Sequence, residues 1–507
     1  MKTRLRRIPA TMATQHPDNA HAPYWEKDGD GFVSIYEELV ECVSSYRDLG
    51  VDEFMWDWEG KHADEAVMDK ILTDFYDFCK QKKIGRDTFL TFRVPNVWHE
   101  KGYSLLRALM VILTSEDFAR DLKFPTRPLF EVILPMTENA EQLLYIQTCY
   151  RQLARFKKET FTHHSRANTE YLEVIPLVEG VPGQLAIQKL LERYATLHHQ
   201  EFGRKPAYIR PFLARSDPAL VSGLLATVLG VKIALSEIAS FSKAAGIPTY
   251  PIIGSGSLVF RGGLSPDTTA EFLRQYGGIR TVTIQSAFRY DYPLPTAKRA
   301  VTQLQTQLPR RRATPVPVSE QKILTNIIQS AEKNYHSALR KILPGLAPVF
   351  AAVPRRRERR LHVGLLAYNR SAGKLKLPRA INFTAALYSL GCPPEFIGLG
   401  RTLAGLSSGE LKLVKKYYVT IREELQRAGR FVNKAAVQLL AKEQPTWNTV
   451  LEGIEITEKI LNIRCVPHAK NEKQHARLSL LAARSRGAPA RLGTLITAMG
   501  KLRRSLG

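Results

Sequence analysis

Reactive polar side chains follow short apolar runs along the first 300 residues, at the point where each run ends. They comprise a histidine, two carboxylates and three arginines: His16, Arg93, Glu179, Asp217, Arg261 and Arg289. A histidine can exchange protons near neutral pH, carboxylates can hold a metal ion, and arginines bind anions. This combination predicts an enzyme that carries out metal-assisted chemistry on an anionic substrate.

Eight strand-like runs place these residues, and spacers of helix length separate the runs. The runs are RIPATMATQHPDN, DEFMWDWEGK, TFLTFRVPN, LFEVILPMTE, YLEVIPLVEG, AYIRPFLARSD, IPTYPIIGSGS and RTVTIQSAFR. Spacers such as GQLAIQKLLERYATLHHQEF carry apolar residues at three- and four-residue spacing, which is typical of amphipathic helices. The alternation predicts an α/β fold with a TIM-type (β/α)8 barrel, whose active site lies just past the strand ends.

The pattern changes near residue 300, and this change predicts the domain organisation. We expect a catalytic barrel over 1–300, a proline-rich linker over 301–318, and a basic, mainly helical region over 319–507 that completes the active site. The run PRRRERR (354–360) interrupts the helical pattern, and we expect it to form an exposed basic loop.

Positive charge is concentrated in the C-terminal part of the chain. Residues 301–507 contain 36 Lys and Arg against 12 Asp and Glu and so carry +24, whereas residues 1–300 contain 37 against 36 and carry +1. Such a field can attract polyanions, or it can simply reflect solvated helix faces. Aromatic residues do not alternate with the basic runs and no recognition motif is present, so nucleic acid is not an expected partner.

Cysteine usage and hydropathy predict a cytoplasmic protein that does not contact membranes. The 5 cysteines are far apart and form no CxxC pair, which argues against disulfides and against a zinc site. No apolar run approaches the roughly 18 residues of a membrane span. The basic start MKTRLRRIPA is not followed by the apolar segment of a signal peptide.

Each candidate residue has an alternative interpretation. Glu179 and Asp217 end neighbouring strands and suit Mg²⁺ or Mn²⁺, but Asp217 precedes a proline and could instead cap a helix. His16 could be a general acid or base, or a polar loop residue. Arg289 and Arg379 could complete an anion cage, and for Arg289 a structural ion pair is the preferred interpretation.

Glycines surround the arginine of GSGSLVFRGG (254–263), where close approach of the backbone to a phosphate is one interpretation and a flexible solvent loop the other. The segment lacks the GK[ST] ending of a P-loop and the third glycine of a dinucleotide fingerprint. Arg93 and Arg261 offer the planar donor groups that suit carboxylate or phosphate.

The quoted segments resemble phosphoenolpyruvate carboxylase of the short, archaeal type. TQHPDN is similar to the family's TAHPT motif, VIPLVEG and RSDPAL resemble its metal-binding segments, and GSGSLVFRGG resembles its loop GRGGxxGRGG. TFRVPN, TVTIQSAFRYDY and LPRAINFTAALYSLGCPPEFIGLG resemble further active-site segments. The similarity runs in order from His16 to about residue 400. The chain departs from the long form of the family at two positions. Ser255 stands where the long form has the first arginine of its glycine loop, and Leu220 stands where the long form has a lysine after the metal-binding aspartate.

The resemblance implies a carboxy-lyase that forms oxaloacetate and phosphate from phosphoenolpyruvate and bicarbonate, through carboxyphosphate and a metal-stabilised enolate. It also implies a Mg²⁺ or Mn²⁺ cofactor and a homotetramer. The implied catalytic residues are His16, Arg93, Arg261 and Arg379; the implied metal ligands are Glu179 and Asp217; and the implied substrate contacts are Gly254, Ser255, Gly256, Arg261, Gly262, Gln285 and Arg289.

A second enzyme class stays open on the residues alone. A metal-dependent barrel aldolase or lyase that acts on pyruvate-like enolates would use the same pair of carboxylates. Phosphate release that depends on bicarbonate would distinguish the carboxylase from this alternative. A polyanion-binding protein that acts through the basic region would instead show salt-sensitive DNA binding without catalysis.

Overall fold

Eight parallel strands close into a barrel, as the sequence predicted. The computed structural model describes residues 6–26, 28–59, 63–100, 102–161, 170–358, 371–372 and 375–507. The strands pair in chain order, and the eighth pairs with the first. They are β1 (Thr11–Thr14), β2 (Glu53–Asp57), β3 (Phe89–Arg93), β4 (Glu131–Leu134), β5 (Glu173–Val178), β6 (Phe212–Ala214), β7 (Ile252–Gly254) and β8 (Thr281–Ile284).

The strands are buried on both faces. One set of side chains forms a separate apolar cluster inside the barrel: Met12, Met55, Ile133, Ile175, Leu177, Phe212, Ala214 and Ile252. Alternate residues of the same strands, such as Phe54 and Val132, pack under the surrounding helices. Burial on both faces is the reason that these strands appear in the sequence as continuous apolar runs.

Helices cover the barrel and connect its strands. They are α1 (Glu38–Arg47), α2 (Val67–Asp74), α3 (Tyr76–Gln81), α4 (Gly102–Asp121), α5 (Ala140–Thr160), α6 (Val181–Leu185), α7 (Ile187–Phe202), α8 (Ser216–Ser222), α9 (Leu224–Ala245), α10 (Thr269–Gln275), α11 (Ser286–Tyr290) and α12 (Leu294–Gln307). In the described part of the chain, α9 is the one helix long and apolar enough to cross a membrane, and 83% of its apolar window is buried inside the protein. It is a core helix between the barrel and the C-terminal region.

The C-terminal region is a large helical assembly, which confirms the predicted architecture. Its helices are α13 (Val318–Ile342), α14 (Ala347–Ala351), α15 (Ala380–Ser389), α16 (Leu399–Ala404), α17 (Ser408–Tyr417), α18 (Ile421–Gly429), α19 (Lys434–Glu443), α20 (Asn448–Leu461), α21 (Lys470–Arg484) and α22 (Pro489–Arg503). Two short strands, β9 (Ser371–Ala372) and β10 (Leu375–Lys376), pair antiparallel. These helices share one apolar core with α8, α9 and the segment around Phe260.

The proline-rich stretch contains more helix than its composition suggests. Helix α12 extends to Gln307 because Pro295 lies in its first turn, where proline is tolerated, and Pro309 lies beyond its end. Residues 311–317 have no regular structure, and the domain boundaries stay a prediction.

The basic run at 354–360 is described as far as residue 358, and residues 359–360 lie outside the described residues. The prediction of an exposed loop is wrong at Arg357, which is 4% exposed. Its guanidinium pairs with Glu38 at 3.1 Å and Glu41 at 2.5 Å, so two buried carboxylates hold this arginine inside.

Candidate active site

The strand register brings the candidate residues to one end of the barrel. Asp57 is paired with Arg93 across β2 and β3, and Ala214 with Gly254 across β6 and β7. The carboxyl ends of the parallel strands therefore lie at one edge, which we call the mouth. The candidates that end strands or follow them within three residues lie at this edge: His16, Arg93, Glu179, Asp217, Gly254, Ser255 and Gln285.

Arg261 is the most enclosed of the predicted catalytic residues, with 1% of its surface exposed. Its Nη1 donates to Oδ2 of Asp18 at 3.0 Å and to the main-chain oxygen of Gly507 at 2.6 Å. Its Nη2 donates to Oε1 of Gln285 at 2.6 Å. Gln285 was predicted as a substrate contact, and in the structure its amide oxygen orients this arginine.

The loop after β7 folds back on itself around Arg261. The amide of Gly256 donates to the carbonyl of Arg261 at 2.8 Å. Gly262 has a φ of +126°, and a Cβ there would lie 2.2 Å from Oγ of Ser255. A Cβ on Gly256 would lie 2.9 Å from the guanidinium of Arg261. The glycines therefore allow a compact, buried turn, which does not match a flexible solvent loop.

Asp18 links the segment after β1 to the end of β8. Its Oδ1 accepts hydrogen bonds from Oγ of Ser286 at 3.0 Å and from the amide of Ala287 at 2.7 Å, while its Oδ2 accepts from Arg261. The sequence contains this aspartate in TQHPDN, two residues after the histidine, and that proximity was the available signal for it.

His16 is half-buried and lies at the carboxyl end of β1. Its Nδ1 lies 2.9 Å from Oγ1 of Thr14. Its carbonyl accepts a hydrogen bond from Oγ of Ser286 at 2.6 Å. These contacts fix both the ring and the main chain of His16.

Arg93 ends β3 and is held by two carboxylates that the sequence analysis did not assign. Its Nε and Nη2 donate to Asp57 at 2.9 and 2.7 Å, and its Nη1 lies 2.7 Å from Glu59. Burial acts to lower the pKa of Arg93, but the charges of Asp57, Glu59 and Glu179 outweigh it and raise that pKa. The guanidinium therefore stays charged at the mouth.

Glu179 and Asp217 follow neighbouring strands, and both are half-buried. Oε2 of Glu179 accepts a hydrogen bond from the amide of Met136 at 3.1 Å. Asp217 lies in the first turn of α8, and the N-cap residue of this helix is Arg215. Asp217 is therefore not the N-cap residue. The described residues contain no group of three or more His, Cys, Asp or Glu arranged for a metal ion.

The two remaining arginines differ in their surroundings. Arg289 is fully buried, and its guanidinium donates to Oε1 of Glu41 at 2.8 Å, to the carbonyl of Thr14 at 2.7 Å and to Oγ of Ser45 at 2.9 Å. This geometry favours the ion-pair interpretation over direct contact with a substrate. Arg379 is half-buried and is the N-cap residue of α15, which packs against the helix that carries Asp217.

A closed parallel barrel with a histidine, two carboxylates and arginines at its mouth belongs to the class of (β/α)8-barrel enzymes. The family model described as phosphoenolpyruvate carboxylase matches residues 8–507. The chain belongs to the phosphoenolpyruvate carboxylase family, a family of carboxy-lyases, as the resemblance predicted. This finding replaces the aldolase alternative.

Named relatives agree with the family assignment. The phosphoenolpyruvate carboxylase of Leuconostoc mesenteroides is 44% identical over 503 residues and aligns over 99% of both chains. That of Metallosphaera sedula is 34% identical over 492 residues, with 94% of both chains covered. That of Pyrococcus horikoshii is 37% identical over 434 residues, which cover 84% of this chain and 88% of the relative.

Proposed function

We propose that the mouth of the barrel converts phosphoenolpyruvate and bicarbonate into oxaloacetate and phosphate. The observation that carries the proposal is the position of Arg261, a buried guanidinium held by Asp18, Gln285 and Gly507. A donor fixed in this way, in a site that excludes water, stabilises developing negative charge without reorganising. Arg93 and Arg379 are assigned to the same anionic substrates.

In the first step, an oxygen of bicarbonate attacks the phosphorus of phosphoenolpyruvate. The phosphorus–oxygen bond to the enol breaks, which gives carboxyphosphate and the enolate of pyruvate. Both products are anions, so the arginines hold them side by side and offset their charge. The resemblance assigns Gly254, Ser255, Gly256 and Gly262 to the substrate. In the structure, Gly262 and Gly256 let the turn close onto Ser255 and Arg261, which supports a role of this turn in holding Arg261 in place.

In the second step, His16 accepts the proton of carboxyphosphate. Loss of this proton splits carboxyphosphate into CO₂ and phosphate, and the enolate carbon then attacks CO₂ to form oxaloacetate. The contact between Nδ1 of His16 and Thr14 orients the ring for this transfer. Water must be kept out, because protonation of the enolate gives pyruvate instead. Val259, Phe260 and Arg261 are buried, which supports a role of the loop after β7 in excluding water.

Glu179 and Asp217 are the residues that would hold Mg²⁺ or Mn²⁺. Their four carboxylate oxygens are hard ligands on neighbouring strand ends, and both side chains are partly accessible, which suits an ion that keeps water and substrate ligands. When bound, a divalent cation supplies positive charge next to the phosphate and the enolate oxygen.

We also propose that the protein is a homotetramer, that it is cytoplasmic and that residues 301–318 link two domains. These proposals rest on the family resemblance and on the hydropathy and composition of the chain. Light scattering coupled to size-exclusion chromatography tests the tetramer directly, and limited proteolysis tests whether residues 311–317, which have no regular structure, separate two stable parts.

Formation of oxaloacetate that depends on bicarbonate, coupled to malate dehydrogenase in the presence of Mg²⁺, tests the proposed site. His16→Ala and Asp217→Ala should both lose the activity while they keep the wild-type circular dichroism spectrum. Glu173→Gln, at the opposite end of the barrel, is the matched control and should keep the activity. Folded His16→Ala and Asp217→Ala enzymes with wild-type turnover would disprove the site assignment and leave the family assignment intact.

A further inference from the structure

A buried carboxyl group of the C-terminal region contacts the loop that carries Arg261. Glu395 lies in the 3₁₀ turn Pro394–Phe396 and is 1% exposed. Its Oε1 accepts one hydrogen bond from the amide of Phe260 at 2.8 Å and another from the hydroxyl of Tyr388 at 2.6 Å. Phe260 is the residue before Arg261. One carboxylate oxygen therefore holds the main chain directly beside the buried arginine.

The amide of Phe260 differs from its neighbours in the same loop. The amides of Arg261, Gly262 and Gly263 all donate to carbonyl groups within the loop, at 2.9 to 3.0 Å. That of Phe260 donates out of the loop, to a side chain more than 130 residues further along the chain. The ring of Phe260 also contacts the C-terminal region, because it packs against Phe383 of α15 with ring centroids 5.8 Å apart. The loop is thus attached to the C-terminal helices at this residue.

The other partner of Glu395 leads back to the same arginine. The ring of Tyr388 lies 5.8 Å from the guanidinium of Arg503, which donates to the carbonyl of Leu506. The next residue, Gly507, accepts a hydrogen bond from Arg261. Glu395 therefore belongs to a continuous set of contacts that fixes the loop on one side of Arg261 and the segment 506–507 on the other.

Glu395 occupies an energetically unfavourable place. Burial raises the pKa of Glu395 to about 7, and among the described residues its Oε2 has no hydrogen-bond partner. A buried polar atom without a partner costs free energy, so its presence calls for an explanation such as a functional role.

We propose that Glu395 is a positioning residue for carboxylation, which holds the loop through the amide of Phe260 so that Arg261 stays aligned with the substrates. The inference rests on the role proposed above for Arg261. Loss of the acceptor oxygen frees the loop, so it should lower turnover and also admit water to the enolate. The second effect separates positioning from general loss of stability, because a destabilised but correctly assembled site does not change its products.

Two variants test the proposal. Glu395→Gln keeps an oxygen that can accept the hydrogen bond from Phe260, and Glu395→Ala removes it. Oxaloacetate and pyruvate are measured separately, through malate dehydrogenase and lactate dehydrogenase, at saturating phosphoenolpyruvate and bicarbonate. The glutamine variant should stay within about threefold of wild type, because its amide oxygen can still accept from Phe260. The alanine variant should lose about 10- to 100-fold in kcat, the effect of a small misplacement of a catalytic group, and release a larger share of pyruvate.

Glu173→Ala is the matched control. Its carboxyl group also accepts a hydrogen bond from a tyrosine, Tyr171, and burial also raises the pKa of Glu173 to about 7, but it lies at the opposite end of the barrel. This control should keep the wild-type ratio of pyruvate to oxaloacetate. If Glu395→Ala does not fold, Glu395→Asp replaces it, because a carboxyl group shortened by one carbon withdraws from Phe260 and should show the same pyruvate release.

Arg261→Ala, assayed in parallel, separates the two assignments. An active Arg261→Ala enzyme overturns the role of Arg261 and the positioning inference together. An inactive Arg261→Ala enzyme beside a folded Glu395→Ala or Glu395→Asp enzyme with wild-type kcat and product ratio overturns the positioning inference alone. Loss of turnover with an unchanged product ratio also counts against it.

Discussion

At the amino-terminal end of the barrel Arg210 lies between Glu53 and Glu131, and at the mouth Arg93 lies between Asp57 and Glu59. The distances are similar: 2.7 and 2.5 Å for Arg210, and 2.7 Å to both carboxylates for Arg93. The apolar cluster that contains Met55 lies between these two layers. One barrel therefore carries the same ion-pair arrangement twice.

The two ends differ in what covers the charges. Arg6 covers Glu131 at the amino-terminal end: its guanidinium pairs with Glu131 and lies 4.6 and 4.8 Å from the rings of Phe89 and Phe130. At the mouth, His16 and the carboxylates that follow β5 and β6 remain half-buried. The two ion-pair clusters are similar in residue type, distance and burial, so the groups beside them distinguish the two ends: Arg6 and two aromatic rings at the amino-terminal end, and half-buried His16, Glu179 and Asp217 at the mouth.

Arg261→Ala should have the largest effect on function. Removal of a preorganised donor should lower kcat about 10³-fold. Turnover of oxaloacetate under saturating substrates measures the loss, with a thermal melt to confirm folding. A kcat of Arg261→Ala within tenfold of the wild-type value would mean that the chemistry does not depend on Arg261.

Arg210→Met should have the opposite profile. It leaves Glu53 without its buried ion-pair partner, while Glu131 keeps Arg6 and the hydroxyl of Tyr208, so the free energy of unfolding should fall by about 3 kcal/mol. The value of kcat, measured well below the melting temperature, should be unchanged. A variant with wild-type stability and impaired turnover would show that the amino-terminal end takes part in catalysis.

Glu173→Gln should show whether the carboxyl group of Glu173 is protonated in the folded protein. Burial, with a smaller effect of Glu131, raises the pKa of Glu173 to about 7, whereas an unfolded glutamate titrates near about 4.3. The folded state therefore keeps a proton that the unfolded chain releases, and this group lowers stability as pH rises from about 4.3 to about 7.

Glutamine resembles the protonated carboxyl group, so the variant should gain melting temperature over wild type at pH 8 and gain less at pH 5. Thermal melts of both proteins at the two pH values measure this difference. A wild type that is the more stable protein at pH 8 would show that Glu173 is ionised and paired in the folded state, and that this end of the barrel admits water.

The sequence was sufficient for the barrel because two-sided burial makes each strand an apolar run, and strand ends are where a barrel presents polar groups. The sequence did not show that the ion pair of Glu53 and Arg210 is structural, whereas the ion pair of Asp57 and Arg93 lies at the candidate active site. Both consist of charged residues in or beside strands, and their roles depend on which end of the strand is covered. Covering is a property of the assembled fold, such as the stacking of Arg6, and leaves no local pattern.

The network behind Arg261 was hidden for a different reason. Gln285 was assigned to substrate because of its motif, but a motif does not state which group a side chain meets first. The acceptor at Gly507 and the donor at Phe260 are main-chain atoms, which every residue has, so no residue type marks them. Glu395 lay within a quoted segment, and only the packing of the C-terminal helices against the loop identifies its partner.

Asp267→Asn should have the smallest effect, because the ion pair that it removes is exposed to solvent. Asp267 pairs with Arg504 at 3.1 Å in the loop after β7, and the two side chains are 57% and 51% exposed. An exposed pair gains little, because water screens the charges and two long side chains lose freedom, so the variant should lose less than about 0.5 kcal/mol. Urea unfolding at low and high salt measures this loss. A loss comparable to that of Arg210→Met would contradict the view that enclosure, rather than ion-pair distance, sets the contribution of each pair.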